Sequence, residues 1–144
     1  MTPTALAKAC AEMMWAEDLA TRSLAMALDD VGPGSARLSM EVQAHMVNGH
    51  GLRHGGYIFT LADSAFAFAC NTYNDRVVAQ HCAITYIRPA HSGMRLTATA
   101  IERSRAGRSG IYDVTVTAAD GTVIAEFRGN SRSLGSTFFE EWRA

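Results

Sequence analysis

The sequence predicts an α+β fold in which one antiparallel sheet curls around a single apolar helix. From Tyr57 to Ala69 the chain is apolar on nearly every side, which is typical of a helix buried by its own protein. After Asp75 only strand patterns follow, and strands grouped with helices on one face are typical of the α+β class. The predicted strands number five, one before the helix and four after it, at residues 35–42, 77–88, 94–103, 111–119 and 122–134.

An amphipathic helix is predicted at the N-terminus, from Thr4 to Asp30. Thr4 can cap its start, and the turn sequence from Gly32 to Gly34 ends it. The strand that follows, to Val42, alternates apolar and polar residues, so one of its faces is expected to be buried. Apolar side chains at helical spacing support the N-terminal helix: Leu6, Met13, Met14, Leu19, Leu24, Met26 and Leu28.

The last two strands are predicted to form a hairpin. Asp120-Gly121 lies between two runs of alternating residues, and this dipeptide is a strong signal for a tight hairpin turn. The alternation separates two faces of the strand at 111–119. The side expected to face the helix holds Tyr112, Val114, Val116 and Ala118, and the opposite side holds Ile111, Asp113, Thr115 and Thr117.

One carboxylate interrupts the apolar helix and is the leading candidate for chemistry. Asp63 shares a stripe of small residues with Gly56, Thr60 and Ala67, because these positions are spaced i, i+4, i+7 and i+11. An ionised carboxylate in such a helix is costly unless it has partners or a task. Asp63 is therefore either a structural aspartate held by neighbouring hydroxyls or a catalytic group.

The start of the helix offers an oxyanion-binding site. Backbone N–H groups at Gly55 and Gly56 lack helical partners and carry the positive end of the helix dipole, and no side chain obstructs them. Gly55 and Asp63 are eight residues apart, which is about 12 Å along a helix. One chain cannot easily bring both groups to the same carbonyl. We therefore predict an obligate dimer with antiparallel helices and two composite sites.

Length, composition and charge exclude several classes of function. The chain of 144 residues fits one domain, 1–144, and 48% of its residues are hydrophobic. A net charge of −1 gives no sign of a nucleic-acid or membrane partner. Three cysteines, Cys10, Cys70 and Cys82, lack metal-type spacing and are interpreted as reduced thiols of a cytoplasmic protein. The histidines show no metal-binding pairing, so no metal site is expected.

Six stretches together resemble the hotdog-fold acyl-CoA thioesterases. Within that family, the resemblance is greatest to the phenylacetic-acid-degradation thioesterases. The stretches are NGHGLRHGG, the LADSAFAFACN helix, ITYIRPAHSG, LTATA, GIYDVTVTAADG and FRGNSRSLG, and they cover most of the chain. The resemblance implies a hotdog fold with five antiparallel strands wrapped around the central helix. It also implies a homodimer, usually paired into a tetramer, with active sites between subunits. The implied reaction is hydrolysis of phenylacetyl-CoA or hydroxylated phenylacetyl-CoA in aromatic degradation, without a cofactor.

The resemblance also assigns roles to individual residues. The Gly55 N–H binds the thioester carbonyl, and Asp63 of the other subunit is the catalytic carboxylate. Asn48 and His54 orient the carbonyl or water, although a turn role for Asn48 and a helix-capping role for His54 are open alternatives. Ser64 stands where the family often has Thr, and it binds water or only solvates the helix.

Arginines late in the chain are candidates for binding the phosphates of coenzyme A. The alternative is a solvated strand edge, and Asn130 stands where similar proteins often carry Lys. The predicted substrate-binding residues are Gly56, Tyr57, Arg88, Arg103, Arg108 and Arg128. Further arginines in this part of the chain are Arg105 and Arg132, and further aromatic candidates for the acyl pocket are Phe66, Phe68 and Tyr73.

Several alternatives stay open from the sequence. Asp63 can act as a nucleophile or as a general base, and a pKa raised by burial would favour the base. The same fold could instead carry a hydratase or dehydratase, although His54 and Asp63 are too far apart along one helix for that chemistry unless they pair across subunits. A third possibility is a module that binds acyl-CoA without catalysis.

Overall fold

The computed structural model describes residues 1–50 and 55–140. Its helices are α1 (Pro3–Glu17), α2 (Leu19–Ser23) and α3 (Gly55–Cys70), with one turn of 3-10 helix at Ala44–Met46. Its strands are β1 (Ala27–Gly32), β2 (Ser35–Glu41), β3 (Val77–Tyr86), β4 (Arg95–Ala106), β5 (Ser109–Ala118) and β6 (Val123–Ser133). The predicted antiparallel sheet with a central helix and an N-terminal helix is confirmed, with six described strands rather than five.

The sixth strand corrects the predicted N-terminal helix. Helix α1 begins after Thr2, whose hydroxyl accepts a hydrogen bond from the Ala5 N–H, and it ends at Glu17 rather than Asp30. Beyond the short α2, Ala25 has a φ of 55° and the chain enters β1. Leu24, Met26 and Leu28 are two residues apart, which is the period of a strand. The predicted stop at Gly32 to Gly34 is instead the β1–β2 hairpin turn, in which Gly34 has a φ of 68°.

The strand order is β1-β2-β4-β5-β6-β3, and every pair is antiparallel. The predicted hairpin at Asp120-Gly121 is confirmed, and Gly121 there has a φ of 88°. The four strands that follow α3 do not lie in the sheet in their order along the chain. Strand β3 pairs with β6 at the far edge, and residues 87–94 cross the end of the sheet before β4 begins.

One face of the sheet packs against α3 and forms the hydrophobic core. Tyr112, Val114 and Val116 are buried on that face, as the alternation predicts, together with Leu38 and Met40 of β2. The helix approaches β6 closely, because a Cβ at Gly129 would lie only 2.7 Å from the Phe66 ring. A larger residue at Gly129 would therefore push α3 away from the sheet.

The helix is not buried on all sides, which corrects the expectation that the sheet covers it completely. Nine residues of α3 are buried, but Thr60, Asp63 and Ala67 are partly exposed and Gly56 is exposed. These four residues are the small-residue stripe predicted from spacing, and we call them the open stripe. The sheet curls around α3 from one side only, so the opposite side of the helix stays uncovered.

Candidate active site

Asp63 lies at the middle of the open stripe, half-buried and with no arginine or lysine paired to it in the described residues. The Cys82 thiol, which reaches it from β3, lies 4.0 Å from Oδ1. Burial raises the pKa of Asp63 above its ordinary value, and the negative charge of Asp18 raises it further. A carboxylate whose pKa is raised holds a proton more tightly, so it is a stronger base than an ordinary surface aspartate.

Ser64 follows Asp63 but points to another side of α3. It is buried, and its Oγ lies 2.9 Å from Thr21 Oγ1 in α2. Thr21 in turn donates a hydrogen bond from its hydroxyl to Asp18 Oδ2 over 2.7 Å. Ser64 is thus bound to the N-terminal helices and is not part of the open stripe.

Gly55 begins α3, and any side chain at this position would have to displace the Tyr86 ring. The Tyr86 hydroxyl donates a hydrogen bond to the Gly55 carbonyl over 2.8 Å, and a Cβ at Gly55 would lie 2.9 Å from Tyr86 Cζ. The N–H groups of the first helical turn have no partners inside the helix and are oriented to bind a ligand oxygen. Since α3 is continuous from Gly55 to Cys70, Gly55 and Asp63 lie about 12 Å apart along its axis. They do not converge on one position within this chain.

Other predicted residues surround the helix start. Asn48 lies in the loop before it, and its side-chain oxygen accepts a hydrogen bond of 2.9 Å from the His50 N–H, which supports the predicted turn. Gly56 is exposed, so it does not pack against the sheet, and the Tyr57 ring meets that of His45 edge-on at 5.9 Å. His54 and the turn residue Gly51 lie outside the described residues.

The four predicted phosphate-binding arginines do not form one cluster. Arg128 and Arg103 both bind Asp113 on the outer face of the sheet, at 2.6 and 2.9 Å. Arg88 donates a hydrogen bond to the carbonyl of Val123 near the start of β6, and Arg108 lies in the β4–β5 turn at the opposite end of the sheet. A single phosphate could not contact all four within one subunit.

The aromatic residues predicted to line the acyl pocket also lie in different parts of the fold. Phe66 packs in the core against Tyr112 and Phe127, and Phe68 packs against Trp15. Both side chains are buried between the helix and its own protein. Tyr73 donates a hydrogen bond to Glu102 over 3.0 Å, beyond the end of α3. These three aromatic residues stabilise the fold and do not line the open stripe.

Four residues near the site were not predicted from the sequence: Asp18, Thr21, Cys82 and Tyr86. Asp18 and Thr21 fall inside the helix predicted through Asp30, where a helix-capping aspartate is easily overlooked. Cys82 shares its strand face with Ile84, and this alternation could have indicated that its thiol points toward the helix. Nothing local indicates that Tyr86 reaches Gly55, because that contact joins residues 31 positions apart.

None of the described helices is long and apolar enough to cross a membrane.

Comparison with known proteins identifies the family of this fold and helix. A family model described as the thioesterase superfamily matches residues 50–125. Acyl-coenzyme A thioesterase PaaI of Escherichia coli is 38% identical over 131 residues, which are 91% of this chain and 94% of that protein. A putative esterase of Archaeoglobus fulgidus is 32% identical over 105 residues, 73% of this chain and 68% of that protein.

Comparison with solved structures leads to the same family. The E. coli PaaI protein, from the phenylacetic acid degradation operon, matches with a TM-score of 0.93 at 37% identity, covering 94% of this chain and 99% of that one. A mutant of the phenylacetic acid degradation protein PaaI from Thermus thermophilus matches with a TM-score of 0.76 at 37% identity, covering 79% and 97%. The predicted hotdog fold is thereby confirmed, and the chain belongs to the thioesterase superfamily.

Proposed function

We propose that this protein hydrolyses acyl-CoA thioesters through Asp63, and that its acyl group is phenylacetyl or hydroxylated phenylacetyl. The observation that carries the proposal is a half-buried carboxylate, with a raised pKa and no cationic partner among the described residues, on the accessible stripe of a buried helix. Groups tuned in this way are typical of catalytic sites. The name of the E. coli relative, an acyl-coenzyme A thioesterase, supports the choice of substrate class.

In the proposed reaction Asp63 is a general base. It takes a proton from a water molecule as the water oxygen attacks the thioester carbonyl carbon. The negative charge that develops on the carbonyl oxygen is stabilised by the Gly55 N–H at the start of α3. The carbon–sulfur bond then breaks, and the coenzyme A thiolate leaves and takes the proton from Asp63. No metal or other cofactor enters this sequence of steps.

We infer that each site is shared between two subunits. Because Gly55 and Asp63 are separated by two turns of one helix, Gly55 of one protomer must act with Asp63 of the partner subunit. The edge strand β3 supports such a dimer. It contains no aspartate, glutamate, lysine or arginine in ten residues, most of its residues are exposed, and it lies at a free edge of the described sheet. An uncharged edge of this length is a template for pairing with a second chain.

The remaining assignments complete the proposal. One domain, 1–144, carries the site, and two dimers associate into a tetramer. Asn48 and His54 orient the carbonyl or the water, and Gly56 and Tyr57 contact the substrate. Arginines on separate parts of the subunit bind different phosphates of coenzyme A, with Arg88 and Arg108 the candidates not already held by Asp113. Cys10, Cys70 and Cys82 are thiols rather than disulfide-bonded cysteines, which supports a cytoplasmic location.

Release of free thiol from a panel of acyl-CoA substrates tests the reaction and the acyl preference together. Asp63→Asn keeps the size of the side chain but removes the base, so turnover is expected to fall by about 10² or more. Glu12→Gln is the matched control, because Glu12 is an exposed acid on α1 and its loss changes the net charge equally. Full activity in Asp63→Asn, or binding of every substrate without thiol release, would contradict the proposed function.

Mixed dimers test the shared site. In Gly55→Val the new side chain would displace Tyr86 and crowd the N–H that is proposed to bind the carbonyl oxygen. Asp63→Asn lacks the proposed base, so each variant is expected to be inactive alone. Co-expressed at equal levels with different tags, they form mixed dimers in which one of two sites is intact. Activity should therefore recover to about a quarter of the wild-type value in a random mixture of dimers. Two inactive parents that stay inactive when mixed would show that each subunit contains a complete site.

A further inference from the structure

The junction of α1 and α2 lies against α3 at the residue that follows Asp63. We propose that Asp18 and Thr21 are positioning residues of the thioesterase site, which fix the Ser64 hydroxyl and hold a second carboxylate near Asp63. This inference rests on the proposed function, because it takes Asp63 to be the catalytic base.

The hydrogen bonds have a defined direction. Asp18 caps α2 by accepting from the Thr21 N–H at 3.0 Å, and it also accepts from the Thr21 hydroxyl at 2.7 Å. A hydroxyl has one proton to donate. Since Thr21 donates that proton to Asp18, it must accept from Ser64, which lies 2.9 Å away. The Ser64 proton therefore points toward Thr21, and Ser64 retains only acceptor lone pairs for any other partner.

The two hydroxyl groups in this chain of hydrogen bonds are buried, which constrains their positions. Thr21 is 1% exposed and Ser64 9% exposed. Buried hydroxyl groups cost free energy unless they are hydrogen-bonded, and each of these two satisfies the other. The bonds also join residues 43 positions apart. They therefore anchor the middle of α3 to the N-terminal helices and limit how far Asp63 can rotate or shift.

The charged and titratable groups around Asp63 come from three elements. The N-terminal helices contribute Asp18, β3 contributes the Cys82 thiol, and α3 itself contributes Cys70. Burial first, and then the neighbouring Asp63 and Cys82, raise the pKa of Cys70 to about 12. Two further charged residues, Glu17 and Arg76, lie near Asp18, since all three line the same cavity of about 280 Å³. After burial, the charge of Asp18 is the next cause that raises the pKa of Asp63. Asp18 thus makes the proposed base stronger.

Asp18→Asn tests the electrostatic part. Asparagine keeps the size of the side chain and still caps a helix, but the negative charge is gone. The acid limb of kcat/KM against pH should move to lower pH by about half a unit or more, because Asp63 then loses its proton more easily. Glu12→Gln removes an exposed charge from the same N-terminal region and should leave the limb in place.

Thr21→Val tests the hydrogen-bonded part. Valine has the shape of threonine without the hydroxyl, so Ser64 loses its acceptor. The expected result is a fall in kcat of about three- to tenfold, with the melting temperature measured in parallel. Thr21→Ser restores the hydroxyl and should recover most of the activity, which a role in packing alone would not explain.

The outcomes separate this inference from the function on which it rests. If Asp63→Asn keeps full activity, the proposed function fails. If Asp63→Asn is inactive while folded Asp18→Asn leaves the acid limb unmoved, the electrostatic role of Asp18 is wrong. If Asp18→Asn does not fold, the Thr21 pair decides, and equal activity of Thr21→Val and Thr21→Ser overturns the positioning role.

Discussion

Asp63 on the open stripe and Asp113 on the outer face of the sheet are the same side chain in opposite environments. Asp113 receives hydrogen bonds from Arg128 and Arg103, and these arginines, Arg128 first, lower its pKa to about 2. Asp63 has burial, a thiol and a second carboxylate around it, and its pKa is raised. The difference in pKa comes from burial and the nearby Asp18 at Asp63, and from the two arginines beside Asp113.

This contrast separates a carboxylate that stabilises the fold from one that is available for chemistry. A carboxylate between two guanidinium groups is kept ionised at neutral pH and is a weak base. A half-buried carboxylate without a cation costs stability, and such costs concentrate at functional sites. Arg103 and Arg128, predicted from the sequence to bind phosphate, therefore also have a structural task. Their binding of coenzyme A stays a prediction.

Among changes to the surroundings of the two aspartates, the largest effect is expected from making Asp63 resemble Asp113. Ala67 lies one turn after Asp63 on the open stripe, and Ala67→Lys would place an ammonium group at the favourable i+4 spacing. The pKa of Asp63 should fall, the acid limb of kcat/KM should move to lower pH, and the plateau should drop by about tenfold because the base is weaker.

Ala67→Gln has a side chain of related size without the charge and is the control for steric effects on the open stripe. An unchanged acid limb in Ala67→Lys, or an equal loss of activity in Ala67→Gln, would mean that the charge of Asp63 does not govern the reaction.

Smaller and opposite effects are expected on stability. Asp113→Asn removes the ion pairs with both arginines and should lower the melting temperature by about 3 °C, which corresponds to ~1 kcal/mol. The effect is small because both arginines are more than half exposed and solvent screens the pairs. Asp63→Asn should raise the melting temperature at neutral pH by about 2 °C, because it removes a half-buried charge. Thermal unfolding followed by circular dichroism measures both.

The pH dependence of stability should also differ between the two aspartates. The pKa of Asp113 falls from 3.8 to about 2 on folding, so its contribution to stability is present above pH 3.8 and is lost as the pH falls towards 2. The pKa of Asp63 rises on folding, so its cost is full only above that raised pKa and disappears as the pH falls below its ordinary value of 3.8. Shifts of equal sign in the two variants would contradict the contrast between the sites.

Much of the fold could be predicted because it depends on local patterns. The apolar run of α3, the alternation of β5 and the turn at Asp120-Gly121 each depend on residues close in sequence. The same period arguments failed at residues 24–30, where apolar spacing fits a helix and a strand equally well. There the pairing with β2 decided, and that pairing is a tertiary contact.

The site shows the same division. Spacing along one helix was enough to place Asp63 on the open stripe and to separate it from Gly55. It was not enough to show which groups meet Asp63, because Asp18 is 45 residues earlier and Cys82 is 19 residues later in the chain. Likewise, the sequence contains several arginines but does not show that two of them converge on Asp113 from neighbouring strands.

By itself, then, the sequence determined the class of fold, the faces of the helix and strands, and the position of one costly carboxylate on an accessible stripe. Only the tertiary structure decided that β3 lies at the far edge, that Tyr86 covers Gly55 and that the N-terminal helices hold Ser64. The reason is physical. Periodicity and turn preference act over a few residues, whereas the pKa of a carboxylate depends on charges and burial that folding brings from distant parts of the chain.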